Sequence, residues 1–262
     1  MDRRLIASTV VGTALSLSVF VGSAHATLFS FASDVNSNSF TFGGTAGTAG
    51  NFTLSDFSRP NTFNLLVDDN NGTAPTQSIA VEFRAALTLG NGASFGLGGT
   101  LFQHTYRVLG TFGFYDTMGN ALLTVNIGPS AALFTVPGTQ STWATSGAVL
   151  GADSFADITY TASSAFVTAL GGSVNAARYG VVVGASGTSA SVGPDDFAFS
   201  LSVINSGSIG ATVAIDPITK APTSAWRSES SYSGSAFPGI PAPGAVALAA
   251  IGFGVIARRR AR

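Results

Sequence analysis

The chain of 262 residues contains no cysteine. That excludes disulfides, thiol catalysis, c-type haem attachment and cysteine-ligated metals. A chain this long can bury enough surface to fold without cross-links. Histidine is nearly as scarce. His25 falls in a segment predicted to be removed, which leaves His104 and excludes a histidine-rich zinc site. A Ser-His-Asp triad would have to use His104. The pattern Phe102-Gln103-His104-Thr105-Tyr106 places that ring on a strand face among aromatic neighbours, the setting of a structural histidine. No Gly-x-Ser-x-Gly elbow stands between a strand and a helix, and no Gly-x-Gly pattern opens a helix, so neither hydrolase nor nucleotide-binding signatures are present.

Charge is also in short supply. Asp, Glu, Lys and Arg make up 10% of the chain, against roughly 25% in an average soluble protein. What charge there is divides unevenly. Arg3, Arg4, Arg258, Arg259, Arg260 and Arg262 sit at the two ends. The body between them holds six cations against twelve carboxylates, a net charge of about −6. An acidic body argues against nucleic acid as a partner, because phosphate binding needs a basic surface.

Apolar residues are plentiful at 45%, with 20 Phe and 32 Gly, so low charge here does not mean disorder. From Thr27 to about Asp216 the apolar residues alternate with polar ones, as at Phe29/Phe31, Phe40/Phe42, Phe63-Leu65-Val67, Ile79-Val81-Phe83 and Phe197-Phe199-Leu201-Val203. A period of two marks half-buried strands. Turn-forming clusters such as Asp69-Asn70-Asn71-Gly72 and Gly90-Asn91-Gly92 separate them. Helical signals are few, with Ser163 to Leu170 a turn or two between strands. The expectation is an all-β domain over residues 27–216, an antiparallel β-sandwich of possible jelly-roll type with a Ser/Thr-rich wet face. Residues 217–243, rich in Ser, Pro, Gly and Ala, are expected to form a linker. A second reading lets Trp226 pack on the sandwich as a last edge strand.

The two ends read as sorting signals. Arg3-Arg4, an apolar run from Leu5 to Val21, and Ala24-His25-Ala26 predict a signal peptide over residues 1–26, cut between Ala26 and Thr27. At the other end Pro241-Ala242-Pro243-Gly244 precedes an apolar stretch from Ala245 to Ala257 and the cluster Arg258-Arg259-Arg260. Residues 244–262 are expected to form a single short membrane helix with its arginines on the cytoplasmic side. This three-part ending, over about residues 238–262, resembles the PEP-CTERM sorting tail, also called the ice-binding protein C-terminal domain. The resemblance implies recognition by an exosortase-like enzyme, cleavage near the proline motif, and association with extracellular polysaccharide or biofilm matrix. Ala242 stands where that family has Glu.

Among candidate chemical groups, carboxylates lead. Asp68, Asp69 and Asn70 put hard oxygen donors on one turn and form a candidate Ca²⁺ site; the competing reading is that they cap the turn. Asp195-Asp196 and Asp153/Asp157 are further clusters. A glycosidase pair would draw on Glu82, Asp116 or Asp56, and carbohydrate stacking on Trp143, Tyr106, Tyr115 or Tyr160, which core packing would otherwise claim. The functional expectation is a non-catalytic exported surface or matrix protein, held at the membrane by its tail. The alternatives are a carbohydrate- or calcium-binding adhesion module and a polysaccharide-acting enzyme.

Overall fold

The computed structural model describes residues 27–32, 40–42, 52–55, 62–152, 157–183, 187–191, 195–208 and 210–236. The signal peptide with Ala24 and Ala26, the sorting residues Pro241, Ala242, Pro243, Gly244, Arg258, Arg259 and Arg260, and the acids Asp56 and Asp153 lie outside them. No helix among the described residues is long and apolar enough to cross a membrane.

Among the described residues twelve strands form one antiparallel sheet: β1 (Thr27–Ala32), β2 (Phe40–Phe42), β3 (Phe52–Ser55), β4 (Phe63–Asp68), β5 (Gln77–Gly98), β6 (Leu101–Tyr115), β7 (Ala121–Gly138), β8 (Ala148–Ala152), β9 (Ile158–Ser163), β10 (Thr188–Ala190), β11 (Asp196–Asn205) and β12 (Trp226–Ala236). Two short helices, α1 (Ser164–Ala169) and α2 (Ser173–Arg178), follow β9. The Ser163 side chain accepts the Phe166 N–H and caps α1, so the helical signal between Ser163 and Leu170 is met by local chemistry.

Several of these strands run in succession along a shared partner. β1 and β2 run in succession along β12, with Thr27 opposite Ala236 and Phe42 opposite Trp226. β3 and β4 share β5 in the same way, and β8 and β9 share β7. β11 pairs β8 while β10 pairs β9. Eight composite strands result, each beside the next in sequence, and the β1–β12 ladder joins the last to the first. The all-β antiparallel class is as expected. The neighbour order is that of a meander closed into a ring, and it lacks the crossing connections of a jelly roll. Closure removes most free edges, which is its physical advantage over an open sheet.

Inside the ring, facing walls share one layer of interdigitated rings, as the two sheets of a sandwich do. Phe83 of β5 meets Phe199 of β11 at 5.6 Å between centroids, and Phe112 of β6 meets Tyr232 of β12 at 5.8 Å. Phe29 of β1 stacks on Tyr160 of β9 at 5.5 Å. The outer wall mixes Ser, Thr and Asn with exposed apolar residues such as Leu66, Leu109 and Leu133 and with charged ones such as Arg84 and Arg107.

The linker expectation for residues 217–243 is corrected over its described part. Residues 226–236 are β12, paired with β11 on one side and with β1 and β2 on the other, so β12 is an interior strand and not an edge. Ala221 and Pro222 are buried, and an Ile215–Pro222 bridge ties the approach to β12 into the domain. Ser-rich composition misleads here because Ser228, Ser230 and Gly234 face inward, where small residues accommodate rings from the other walls.

Candidate functional site

The ring has two dissimilar ends. At the near end Thr27 and Ala236 sit opposite one another, with Thr27 buried and its hydroxyl donating to the Tyr179 carbonyl. The Asp68–Asn70 turn closes β4 here. Asp69 is buried, and both of its oxygens are occupied. Oδ1 accepts the N–H groups of Asn71 and Gly72 at 3.2 and 3.0 Å. Oδ2 accepts those of Thr73 and Ala74 at 3.0 and 2.7 Å and the Thr73 hydroxyl at 2.5 Å. The Thr73 hydroxyl, aided by these N–H groups, lowers the Asp69 pKa to about 2 against the opposing effect of desolvation. Asp68 accepts the Asn70 N–H and the Thr76 hydroxyl, each at 2.7 Å, and Asn70 takes a left-handed φ of 52°. The carboxylates of Asp68 and Asp69 are thus turned onto their own loop.

Other carboxylates follow the same pattern. Asp116 accepts the N–H groups of Met118 and Asn120 and the Asn120 side-chain amide, and that amide bond leads the causes that lower its pKa. Glu82 pairs with Arg84 at 2.9 Å, and Arg84 in turn lies over the Tyr115 ring at 4.5 Å. Of the residues considered for a glycosidase pair, Glu82 is engaged in a partly buried ion pair and Asp116 in its own turn, while Asp56 lies outside the described residues. Asp195 is buried and accepts the Ser191 hydroxyl, while Asp196 accepts the Ser235 N–H at 3.0 Å. Asp68 and Asp196 share the near end but stand on strands with β1 and β12 between them. Among the described residues no group of three or more His, Cys, Asp or Glu is placed to hold a metal ion.

The aromatic candidates are mostly core. Tyr106, Trp143 and Tyr160 are buried, and Tyr115 is half-buried beneath Arg84. Tyr160 donates to the Asp196 carbonyl at 2.6 Å and meets the Tyr232 hydroxyl at 2.8 Å; burial holds both phenols far above the usual tyrosine range.

At the far end the closure is aromatic. The Trp143 indole N–H donates to the Tyr106 hydroxyl at 2.9 Å, which donates to the Lys220 carbonyl at 2.5 Å. Trp143 packs edge-on against Tyr106, Phe134 and Trp226. Beside this cluster His104 contacts the Ser94 hydroxyl through Nδ1 at 2.7 Å and the Thr139 carbonyl through Nε2 at 2.8 Å. A carbonyl at Nε2 requires N–H there, so Nδ1 accepts from Ser94. Sequence alone did not pair Ser94 with His104; their cross-strand register, β5 to β6, does. The pair lacks the means of a nucleophilic dyad. The imidazole is fully buried, its partner carbonyl bears no charge to stabilise an imidazolium, and Ser94 lies on an extended strand rather than a strained elbow. Burial lowers the His104 pKa.

A recess of about 360 Å³ lies between α1, α2 and residues 181–183. Its lining is Ser164, Ser173, Thr168, valines and Gly187, with no titratable side chain to carry acid–base chemistry. The void lined by Thr27, Phe29, Tyr160 and Ala236 measures about 30 Å³, the space of one water. Comparison with family models, with curated proteins and with solved structures finds no match to this chain.

Proposed function

We propose that the chain is a non-catalytic exported protein of the cell surface or extracellular matrix, sorted through its PEP-CTERM-like tail and associated with exopolysaccharide. In this reading residues 1–26 direct export, the all-β body is the exposed part, and residues 244–262 form a membrane helix that an exosortase-like enzyme recognises. The observation that carries it is the Thr27–Ala236 pairing. Thr27, the residue after the proposed signal cleavage, and Ala236, ahead of the Pro241 motif, lie on adjacent strands at one end of the ring. Neither proposed cut falls within a described strand. Supporting it are the acidic, weakly charged body and carboxylates engaged in turns.

The test is mass spectrometry of intact protein from envelope and medium fractions. The reading expects a mature form starting at Thr27, with a second cut near Pro241 in the released fraction. Recovery of the unprocessed chain from the cytosol would sink it.

A further inference from the structure

We propose that Asn71 is an N-glycosylation acceptor, taking a saccharide onto its side-chain amide from a lipid-diphosphate-linked oligosaccharide. The inference rests on the export reading, since sugar transfer of this kind acts on secreted chains. The chain holds two Asn-x-Ser/Thr patterns, Asn51-Phe52-Thr53 and Asn71-Gly72-Thr73. The fold treats them differently. Phe52 and Thr53 lie on β3, paired with Leu89 and Thr88 of β5. Residues 70–73 form an exposed turn between β4 and β5.

Three features suit this turn to the chemistry. Asn71 Oδ1 accepts the Thr73 N–H at 2.8 Å, which fixes the amide with its oxygen toward the backbone. Among the described residues no group bonds Asn71 Nδ2, and the residue is exposed. The space around the turn is open, for a Cβ at Gly72 would meet nothing within 4 Å. The turn is also held from within, by Asp69 and its N–H donors, so a bulky group on Asn71 displaces no packed side chain. The competing fate of an Asn-Gly pair is attack of the glycine nitrogen on the asparagine side-chain carbon. Here the Gly72 N–H is engaged by Asp69 Oδ1 at 3.0 Å, which protects the Asn71 amide.

In the transfer, a bond forms from Asn71 Nδ2 to the anomeric carbon of the sugar as the bond from that carbon to the diphosphate oxygen breaks. The lipid diphosphate leaves with the electron pair, and one Nδ2 proton passes to a carboxylate of the transferase. The product carries a bulky hydrated group close to the Thr27–Ala236 end of the ring, because Asp68, just before the turn, pairs with Leu28. The body is then joined to carbohydrate by a covalent bond.

The test is peptide mass spectrometry of the full chain recovered from envelope and medium fractions of the cells that make it. Molecules beginning at Thr27 are scored, so failure of export and failure of modification are read separately. The expected result is a saccharide mass addition on Asn71. Asn71→Gln and Thr73→Ala remove it, and Thr73→Ser retains it at a reduced level. Asn70→Gly, which suits the left-handed φ at that position, leaves it in place. Circular dichroism verifies that each variant is folded. Molecules that begin at Thr27 with Asn71 unmodified, an addition confined to Asn51, or an addition that survives Asn71→Gln overturn the proposal. So does conversion of Asn71 to aspartate without a saccharide, which assigns the turn to deamidation. A chain found wholly unprocessed overturns the export reading, and this inference with it.

Discussion

The two ends of the ring are closed by different chemistry. At the near end carboxylates gather the N–H groups of their own turns, as Asp69 and Asp116 do, and two phenols share a buried hydrogen bond. At the far end closure is made chiefly by packed rings, Trp143 against Tyr106, Phe134 and Trp226, with His104 held between a hydroxyl and a carbonyl. Polar capping is local and depends on protonation state, whereas ring packing is long-range and depends on volume. The near end should therefore respond to strong acid, and the far end to truncation of its rings.

The largest effect expected is from Trp143→Ala. It removes a buried ring and the donor to Tyr106, and should cost about 4 kcal/mol in unfolding free energy, read from urea denaturation. A cost below about 1 kcal/mol would show that the far end is not held by its rings. Next is Gly234→Ala at the near end. A methyl there meets the hydroxyls of Tyr160 and Tyr232, and overpacking of this kind costs roughly 1–3 kcal/mol. Tyr160→Phe removes the hydroxyl that bonds Asp196 and Tyr232, for a loss of about 1–2 kcal/mol. Combining it with Gly234→Ala should cost less than the two changes added separately, because the clash is partly relieved.

The pH dependence sharpens the contrast. The Asp69 pKa is lowered to about 2, so its contribution is present above the ordinary value near 3.8 and is lost as pH falls toward 2. Asp69→Asn should lower the urea midpoint at pH 7, and the gap from wild type should shrink as pH falls through that window. The His104 pKa is lowered as well, so the folded state favours the neutral ring. That contribution is full above the ordinary value near 6.5 and declines as pH drops below it. His104→Gln should flatten the stability profile just below pH 6.5 and leave the strongly acidic limb unchanged. The smallest effect belongs to the outer wall. Ser233→Ala is expected within about 0.5 kcal/mol of wild type.

Alternation marked most of the wall. Phe29/Phe31, Leu65/Val67 and Phe197/Phe199 were legible as inward pairs because one side chain in two must leave water. The same rule failed on β12, where inward Ser228, Ser230 and Gly234 carry too little apolar surface to register. Asp68 and Asp69 were visible as oxygen donors, but their use could not be read from composition, since turn capping and cation binding draw on the same atoms. Ser94 and His104 were both in plain view, and only the β5–β6 register joined them.

By itself the sequence determined the class, the inward faces, the turns and the cysteine-free character, because each depends on residues a few positions apart. Tertiary structure decided which strands are neighbours. Thr27 pairs with Ala236 and the ring closes. Periodicity assigns a side chain to a face but names no partner strand. That choice rests on ladders and ring contacts between distant segments, whose joint energy no local pattern contains.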